Sequence, residues 1–362
     1  MQYRFEFRPY RRRFVRSLST SHGNWDIRDG IILRLTDENG QVGWGEIAPL
    51  SWFGSETLEQ ALSFCRQLPE EITDEMIFSI PSALPACQFG FESAWEDTCR
   101  VKSQLYEPNL PEFSFEQSEG QFSNLSNLFV ETQSFASLQS AKADFVCVAA
   151  NSFAKSISYS GLLPAGEAAL SQWQTLWNQG YRTFKWKIGV YPIANELEIF
   201  QQLIQTLPAS AKLRLDANGG LSYEEANLWL WTCDNVKAEE LPVEIEFLEQ
   251  PLSVAQFQGM AELSMCYATA IALDESVATI DQMEAAYHEG WRGIFVIKPC
   301  IAGSSSRLRQ FCQQHEIDAV FSSVFETAIG RQAALKLAAE LSRHNRAVGF
   351  GINHWFDEDE EI

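Results

Sequence analysis

Four short apolar runs in the second half of this 362-residue chain each end in a charged residue, and their spacing constrains the fold more than any other feature. They lead to Asp216, Glu249, Asp274 and Lys298, at steps of 33, 25 and 24 residues, and each interval holds one segment with helical periodicity. A strand and a helix per step is the repeat of a (β/α) barrel, whose eight units take about 250 residues. One step upstream, the run around Phe184 carries Lys185 and Lys187, two apart and so on one face of a strand. Leu213-Arg214-Leu215-Asp216 has the same alternation, with Arg214, Asp216 and Asn218 on one face.

Extending the pattern gives eight candidate strands, at 144–149, 181–188, 211–217, 245–249, 270–274, 293–298, 318–323 and 347–351. Helical segments fall near 166–179, 193–206, 222–236, 254–266, 279–289, 304–315 and 328–344. The expected architecture is α/β, a modified TIM barrel of (β/α)7β form over 141–353. Residues 1–140 read differently. Tyr3, Phe5 and Phe7 alternate with charged residues as in a strand, Glu38-Asn39-Gly40 marks a hairpin turn, and helical patterns follow at 56–68 and 86–105. This predicts a separate N-terminal α+β domain. Two stretches that mix aromatics with Gly and Ser, 17–29 and 49–55, are expected as loops, either lids over an organic substrate or surface turns with one anchoring aromatic, and 106–142 as an irregular polar excursion. The acidic end, 356–362, reads as a solvated tail.

Charge narrows the partners. With 27 Lys and Arg against 48 Asp and Glu, a net charge of −21 argues against nucleic acid or an anionic membrane. No apolar run reaches transmembrane length. The eight cysteines are dispersed without CxxC spacing, so buried thiols in the cytoplasm are expected, with neither a disulfide nor zinc. Six Arg among the first sixteen residues fall in the strand pattern rather than in a targeting helix. The five histidines lack ligand spacing, and the phosphate-loop, nucleophile-elbow and EF-hand patterns are missing.

The chemistry follows from where barrel strands end. Active sites of such barrels lie at the C-terminal ends of the strands, where all these charges fall. Asp216, Glu249 and Asp274 are oxygen donors suited to a hard cation such as Mg²⁺, and without a cation they would repel one another. Lys185, beside Lys187, is the cationic neighbour that favours a neutral Lys187 amine, making Lys187 the candidate base and Lys298 its partner across the site. The expected reaction is removal of a proton α to a carboxylate bound at Mg²⁺, with the resulting enediolate held by Mg²⁺ and Lys298.

Lys185-x-Lys187, Asp216-Ala-Asn218, Glu249-Gln-Pro251, Asp274-Glu-Ser276 and Ile297-Lys298-Pro299 resemble the muconate-lactonizing branch of the enolase superfamily. The resemblance spans nearly the whole chain, including Gly43-Trp-Gly-Glu46-Ile-Ala-Pro49 and Phe89-Gly-Phe-Glu92, and implies that residues 1–140 form an N-terminal capping domain to which a tail of residues 354–362 returns. Within the branch, Leu213–Asn218, Ser322–Gly330 and Gly349-Phe-Gly351 look most like the o-succinylbenzoate synthase family. That likeness implies an enolase-like fold and Mg²⁺-dependent dehydration of 2-succinyl-6-hydroxy-2,4-cyclohexadiene-1-carboxylate to o-succinylbenzoate, a step toward menaquinone or phylloquinone. It also implies Lys187 as base, Lys298 as stabilising cation, Asp216, Glu249 and Asp274 as metal ligands, Arg214 as a supporting arginine, and Gly303 and Ser323 as contacts to the succinyl arm. An N-acylamino-acid racemase would use the same two opposed lysines. Dipeptide epimerases of the branch carry an Asp-x-Asp at the last strand, where this chain has Gly349-Phe-Gly351. A non-catalytic cation-binding barrel would have no use for the three lysines.

Overall fold

The structure is a computed structural model that describes residues 1–20, 23–99, 157–238, 243–352 and 356. Its N-terminal region comprises β1 (Gln2–Thr20), β2 (Gly23–Asp37), β3 (Val42–Ile47), α1 (Leu58–Gln67), β4 (Glu71–Thr73), α2 (Asp74–Phe78) and α3 (Pro85–Thr98). The four strands form one antiparallel sheet in the order β3-β2-β1-β4. Alternation along β1 buries Tyr3 and Phe5, as the sequence pattern predicts. The turn at Glu38-Asn39-Gly40 is closed by the Asp37 carboxylate, which accepts from the amides of Asn39 and Gln41 at 2.9 and 2.7 Å. Helix α3 lies so close to β3 that a Cβ on Gly45 would stand 2.1 Å from the Gly90 carbonyl oxygen. Only glycine allows that approach.

The barrel comprises β5 (Tyr159–Leu163), α4 (Ala169–Asn178), β6 (Thr183–Lys187), α5 (Ile193–Thr206), β7 (Lys212–Asp216), α6 (Tyr223–Ala238), β8 (Glu244–Glu249) and α7 (Phe257–Cys266). It continues with β9 (Ile271–Leu273), α8 (Ile280–His288), β10 (Ile294–Ile297), α9 (Pro299–Ala302), α10 (Ser305–Gln314), β11 (Asp318–Phe321), α11 (Ala328–Leu341) and β12 (Val348–Gly351). The strands are parallel, run in sequence from β5 to β11, and place β12 beside β5. A bridge between Ser322 and Gly349 closes the ring. This is the expected (β/α)7β barrel.

Side-chain parity sorts the barrel into two cores. Phe184 and Trp186 of β6 point outward and are fully buried with Phe200 of α5 and Trp229 of α6, whose rings lie 5.3 Å apart. Burying a large apolar side chain stabilises by about 1.5–3 kcal/mol, so this layer anchors the strand that carries the two lysines. Facing inward, Phe247, Ala272, Ile294, Val296 and Val320 form a separate cluster. The same parity turns Lys185, Lys187, Arg214, Asp216, Glu249, Asp274 and Lys298 inward. Below the mouth, Arg214 Nε donates to Glu246 at 2.6 Å, Arg346 donates to the other oxygen of Glu246 at 2.7 Å, and Arg346 also forks onto Asp318. A register shift between β7 and β8 lets Glu246 reach Arg214 while Phe247 still faces the interior.

Two expectations are corrected. The candidate strand at 144–149 lies outside the described residues, and the position beside β12 and β6 is held by Tyr159–Leu163 instead. The supposed loop at 17–29 is largely strand, because β1 and β2 continue as a paired hairpin in which Leu18 faces Trp25. Cross-strand pairing satisfies backbone groups that a loop would leave to water. The stretch 49–55 does lack strands and contains one 3₁₀ turn, Ser51–Phe53. Of the tail, Phe356 is described, and its ring stacks on Phe14 of β1 at 4.8 Å.

Candidate active site

Parallel register places the charged side chains shoulder to shoulder at the barrel mouth. Lys187 is opposite Asp216, and Asp216 opposite Glu249. Asp274 follows β9 directly, and Lys298 follows β10 and precedes α9. Lys185 Nζ lies 2.8 Å from Asp216 Oδ2 and 2.8 Å from Glu249 Oε1. Lys298 Nζ donates to Asp274 Oδ1 and stands 4.1 Å from the centroid of the Phe53 ring, a cation–π contact supplied by the cap. Lys187 lines the cavity and, among the described residues, has no hydrogen-bond or ion-pair partner.

The backbone around this cluster is held in unusual conformations. Asn218, Gln250 and Phe325 are non-glycine residues with φ of 43°, 37° and 62°, and each follows a barrel strand. Such strain persists where surrounding contacts dictate it. Gln250 shows how: its Oε1 accepts from the amides of Asp274 and Ser276 at 2.9 and 3.2 Å, and its Nε2 donates to Ser276 Oγ at 2.7 Å. Asn218 donates its backbone N–H to Asp216 Oδ1 at 3.1 Å and its side-chain amide to Glu275 Oε1 at 2.9 Å. The other Glu275 oxygen is buried without a hydrogen-bond partner.

The charges do not cancel. Burial raises Glu249, and repulsion from Asp216 and Asp274 adds to it against the pull of Lys185, so that its carboxyl is pushed up to about 8. Asp274 and Glu275 are raised as well, chiefly by burial. For Asp216 burial acts in the same direction, but Lys185 and Lys187 outweigh it and hold it below the usual carboxylate range. Burial works to lower Lys185, yet Asp216, Glu249 and Asp274 prevail and keep it protonated. Three lysines thus face four carboxylates.

Does this set suit Mg²⁺? The donors are the hard oxygens that such an ion takes, and Lys185 already stands as a cation between Asp216 and Glu249. As the side chains are placed, no group of three or more His, Cys, Asp and Glu among the described residues encloses an ion. The donor chemistry and the charge deficit fit a divalent cation.

A cavity of about 160 Å³ opens over the cluster. Lys185, Lys187, Asp216, Asp274, Lys298 and Ser323 line it, as expected. Glu249 lies behind Lys185, its side chain 2 % exposed. Arg214 and Gly303 are not in the lining. Arg214 is committed to Glu246 one layer deeper, and Gly303 ends α9 with a φ of 118° against Gln88 of α3. Sequence parity put Arg214 on the right face at the wrong depth. The sequence did not single out Glu275, adjacent to an expected ligand, and of the aromatic roof of Trp25, Trp52, Phe53 and Phe325 it pointed to the two covering stretches but not to Phe325. The aromatic content of the covering stretches was its only signal.

Comparisons with known proteins agree with this geometry. Residues 168–361 match the family profile described as enolase C-terminal domain-like, and residues 18–98 match the one described as MenC, N-terminal domain. The chain is 37 % identical to the o-succinylbenzoate synthase of Thermosynechococcus vestitus over 97 % of its length and 93 % of that protein. It is 26 % identical to the o-succinylbenzoate synthase of Aliivibrio salmonicida, over 86 % of this chain and 79 % of that one. Among solved structures, o-succinylbenzoate synthase from Thermosynechococcus elongatus BP-1, complexed with Mg in the active site, superposes with a TM-score of 0.77 at 35 % identity, covering 98 % of this chain and 94 % of that one. The L-Ala-D/L-Glu epimerase of Bacillus subtilis, at 19 % identity and a TM-score of 0.69 over 98 % and 91 % of the two chains, shares the fold.

Proposed function

The chain belongs to the o-succinylbenzoate synthase family of the enolase superfamily, a family of lyases, and from that premise we propose that it dehydrates 2-succinyl-6-hydroxy-2,4-cyclohexadiene-1-carboxylate to o-succinylbenzoate. The observation that carries the reading is the pair of lysines facing the cavity, Lys187 without a partner and Lys298 held as an ion pair, beneath an aromatic roof suited to a cyclic conjugated substrate. Asp216, Glu249 and Asp274 would hold Mg²⁺, which when bound neutralises the substrate carboxylate and so acidifies the neighbouring C–H. Lys187 takes the proton from that carbon. Lys298, as an ammonium, faces the anion from the other side. The C–O bond of the ring hydroxyl then breaks, the electron pair left by the C–H bond completes the aromatic ring, and Lys187 returns its proton to the departing hydroxide as water. Lys185 stays charged, held so by Asp216, Glu249 and Asp274.

The last strand supports this substrate over a dipeptide. Gly349 and Gly351 line the cavity there, and neither offers a carboxylate to a substrate ammonium. The product's use in menaquinone or phylloquinone synthesis and a cytoplasmic location belong to the same proposal. No helix among the described residues is long and apolar enough to cross a membrane.

The test is loss of diene absorbance in purified protein with fresh substrate and Mg²⁺. Lys187→Ala is expected to lower the rate by about 10²–10⁴-fold, the usual scale for a general base, with Mg²⁺ affinity retained. Chelation should abolish turnover and Mg²⁺ restore it. Wild-type protein that leaves the diene unchanged would overturn the substrate, and an unchanged rate in Lys187→Ala would remove that lysine from the chemistry.

A further inference from the structure

Glu46, in β3 of the cap, is fully buried and stands apart from the ion pairs of the mouth. Its carboxylate spans two regions. Oε1 accepts from the Tyr10 hydroxyl of β1 at 2.5 Å and from the Thr327 amide at 3.0 Å. Oε2 accepts from the Thr327 and Gly330 amides, each at 2.9 Å, and from the Thr327 hydroxyl. These amides open α11, where no helical carbonyl is available to them and a negative charge is favoured. The seat is shaped for this group, since a Cβ on Gly330 would stand 2.7 Å from Glu46 Oε2.

Both regions that Glu46 joins line the cavity further along the chain. Tyr10 leads along β1 to Phe14 and Leu18, and Thr327 follows the wall Ser322–Phe325. Phe325 holds its left-handed backbone two residues before Thr327, with its ring 5.4 Å from Trp25 and 5.3 Å from Phe14. On the other side the same turn is held by Glu326, which accepts from Ser323 Oγ at 2.9 Å and from the Val324 amide at 2.7 Å.

We infer that Glu46 is a positioning residue for the substrate cavity, fixing the strained Phe325 wall of the barrel against the hairpin of the cap so that the aromatic roof has one shape. The inference rests on the reading of this cavity as the substrate site. It separates binding from chemistry, because Lys187 and Lys298 sit on other strands.

Glu46→Gln keeps the shape but replaces one acceptor with an amide that cannot receive the Thr327 and Gly330 N–H groups. Gly330→Ala pushes the carboxylate off its seat from the other side, and it serves if the first variant fails to fold. Each is expected to raise KM about tenfold or more with kcat within about threefold, the mark of lost binding rather than lost chemistry. In substrate-free protein, hydrogen exchange at residues 323–330 should quicken by about tenfold while β6 and β7 keep their protection. Folded variants with unchanged KM and unchanged exchange overturn the proposal, as does a loss confined to kcat. The exchange readout judges Glu46 even if wild-type protein proves inactive on the diene, an outcome that would refute the substrate and leave the positioning role to stand or fall by itself.

Discussion

The barrel buries two charge clusters, one at its floor and one at its mouth, and they settle the cost of buried charge in opposite ways. At the floor, Arg214 and Arg346 meet Glu246 and Asp318, two cations for two anions. Burial pushes Glu246 up, but the two guanidiniums outweigh it and leave the carboxyl below its ordinary range. At the mouth, three lysines serve four carboxylates, and Glu249, Asp274 and Glu275 are all raised. The acids are of the same types, the cations are arginines at the floor and lysines at the mouth, and the depth differs by one or two layers of side chains. A cluster balanced by its own counterions holds the fold together; one left short of positive charge suits a cation from outside, as the proposed function requires.

The contrast can be broken most forcefully at the floor. Glu246→Ala would leave Arg214, only 1 % exposed, without its carboxylate, and a stranded buried charge costs about 3–5 kcal/mol. Denaturant midpoints would show this, and a loss below about 1 kcal/mol would mean that the floor is not the structural cluster described. At the mouth the sign reverses. Burial and the neighbouring carboxylates push Glu249 up from its ordinary 4.5 to about 8, so between these values the folded state keeps a proton that the unfolded chain has released. Stability of the metal-free protein should therefore fall as pH rises from about 4.5 to about 8. Glu249→Gln should reduce that slope, and Mg²⁺ should flatten it in the wild type. Melting temperatures across this range with and without chelator test the point, and a slope that the substitution leaves intact would show that Glu249 is not its source. The smallest effect is expected at Phe53. Its ring over Lys298 is worth about 0.5–2 kcal/mol, so Phe53→Leu should lower kcat/KM by a few-fold to about thirtyfold without moving the denaturant midpoint appreciably.

The barrel was legible because its strands end in charge at a regular step, and the same parity that turned Asp216 inward in the sequence turns it inward in the structure. The first barrel strand was not. Tyr159-Ser-Gly-Leu-Leu163 has a glycine at its centre and no alternation, and its place is set by packing, with Gly161 lying close against Leu176 of α4. The more strand-like run at 144–149 drew the assignment instead. Arg214 and Gly303 show the complementary limit: a one-dimensional pattern gives the face of a strand but not the depth at which a partner such as Glu246 holds a side chain, nor whether a glycine serves a ligand or a turn. The covering hairpin read as loop because Ser17–Asp29 is rich in small polar residues, whereas pairing between two strands of the same sheet overrides that composition.

The length of β1 has one more consequence. A single strand runs from the cap's core at Tyr3 to the cavity roof at Leu18, while the lysines and carboxylates of the mouth all lie between 185 and 298. On the proposed function, Leu18 and Trp25 shape the fit of the acid from a stretch of chain far from those charges, so substitutions at these two positions would change which acid is accepted while the strands that carry the charges stay unchanged.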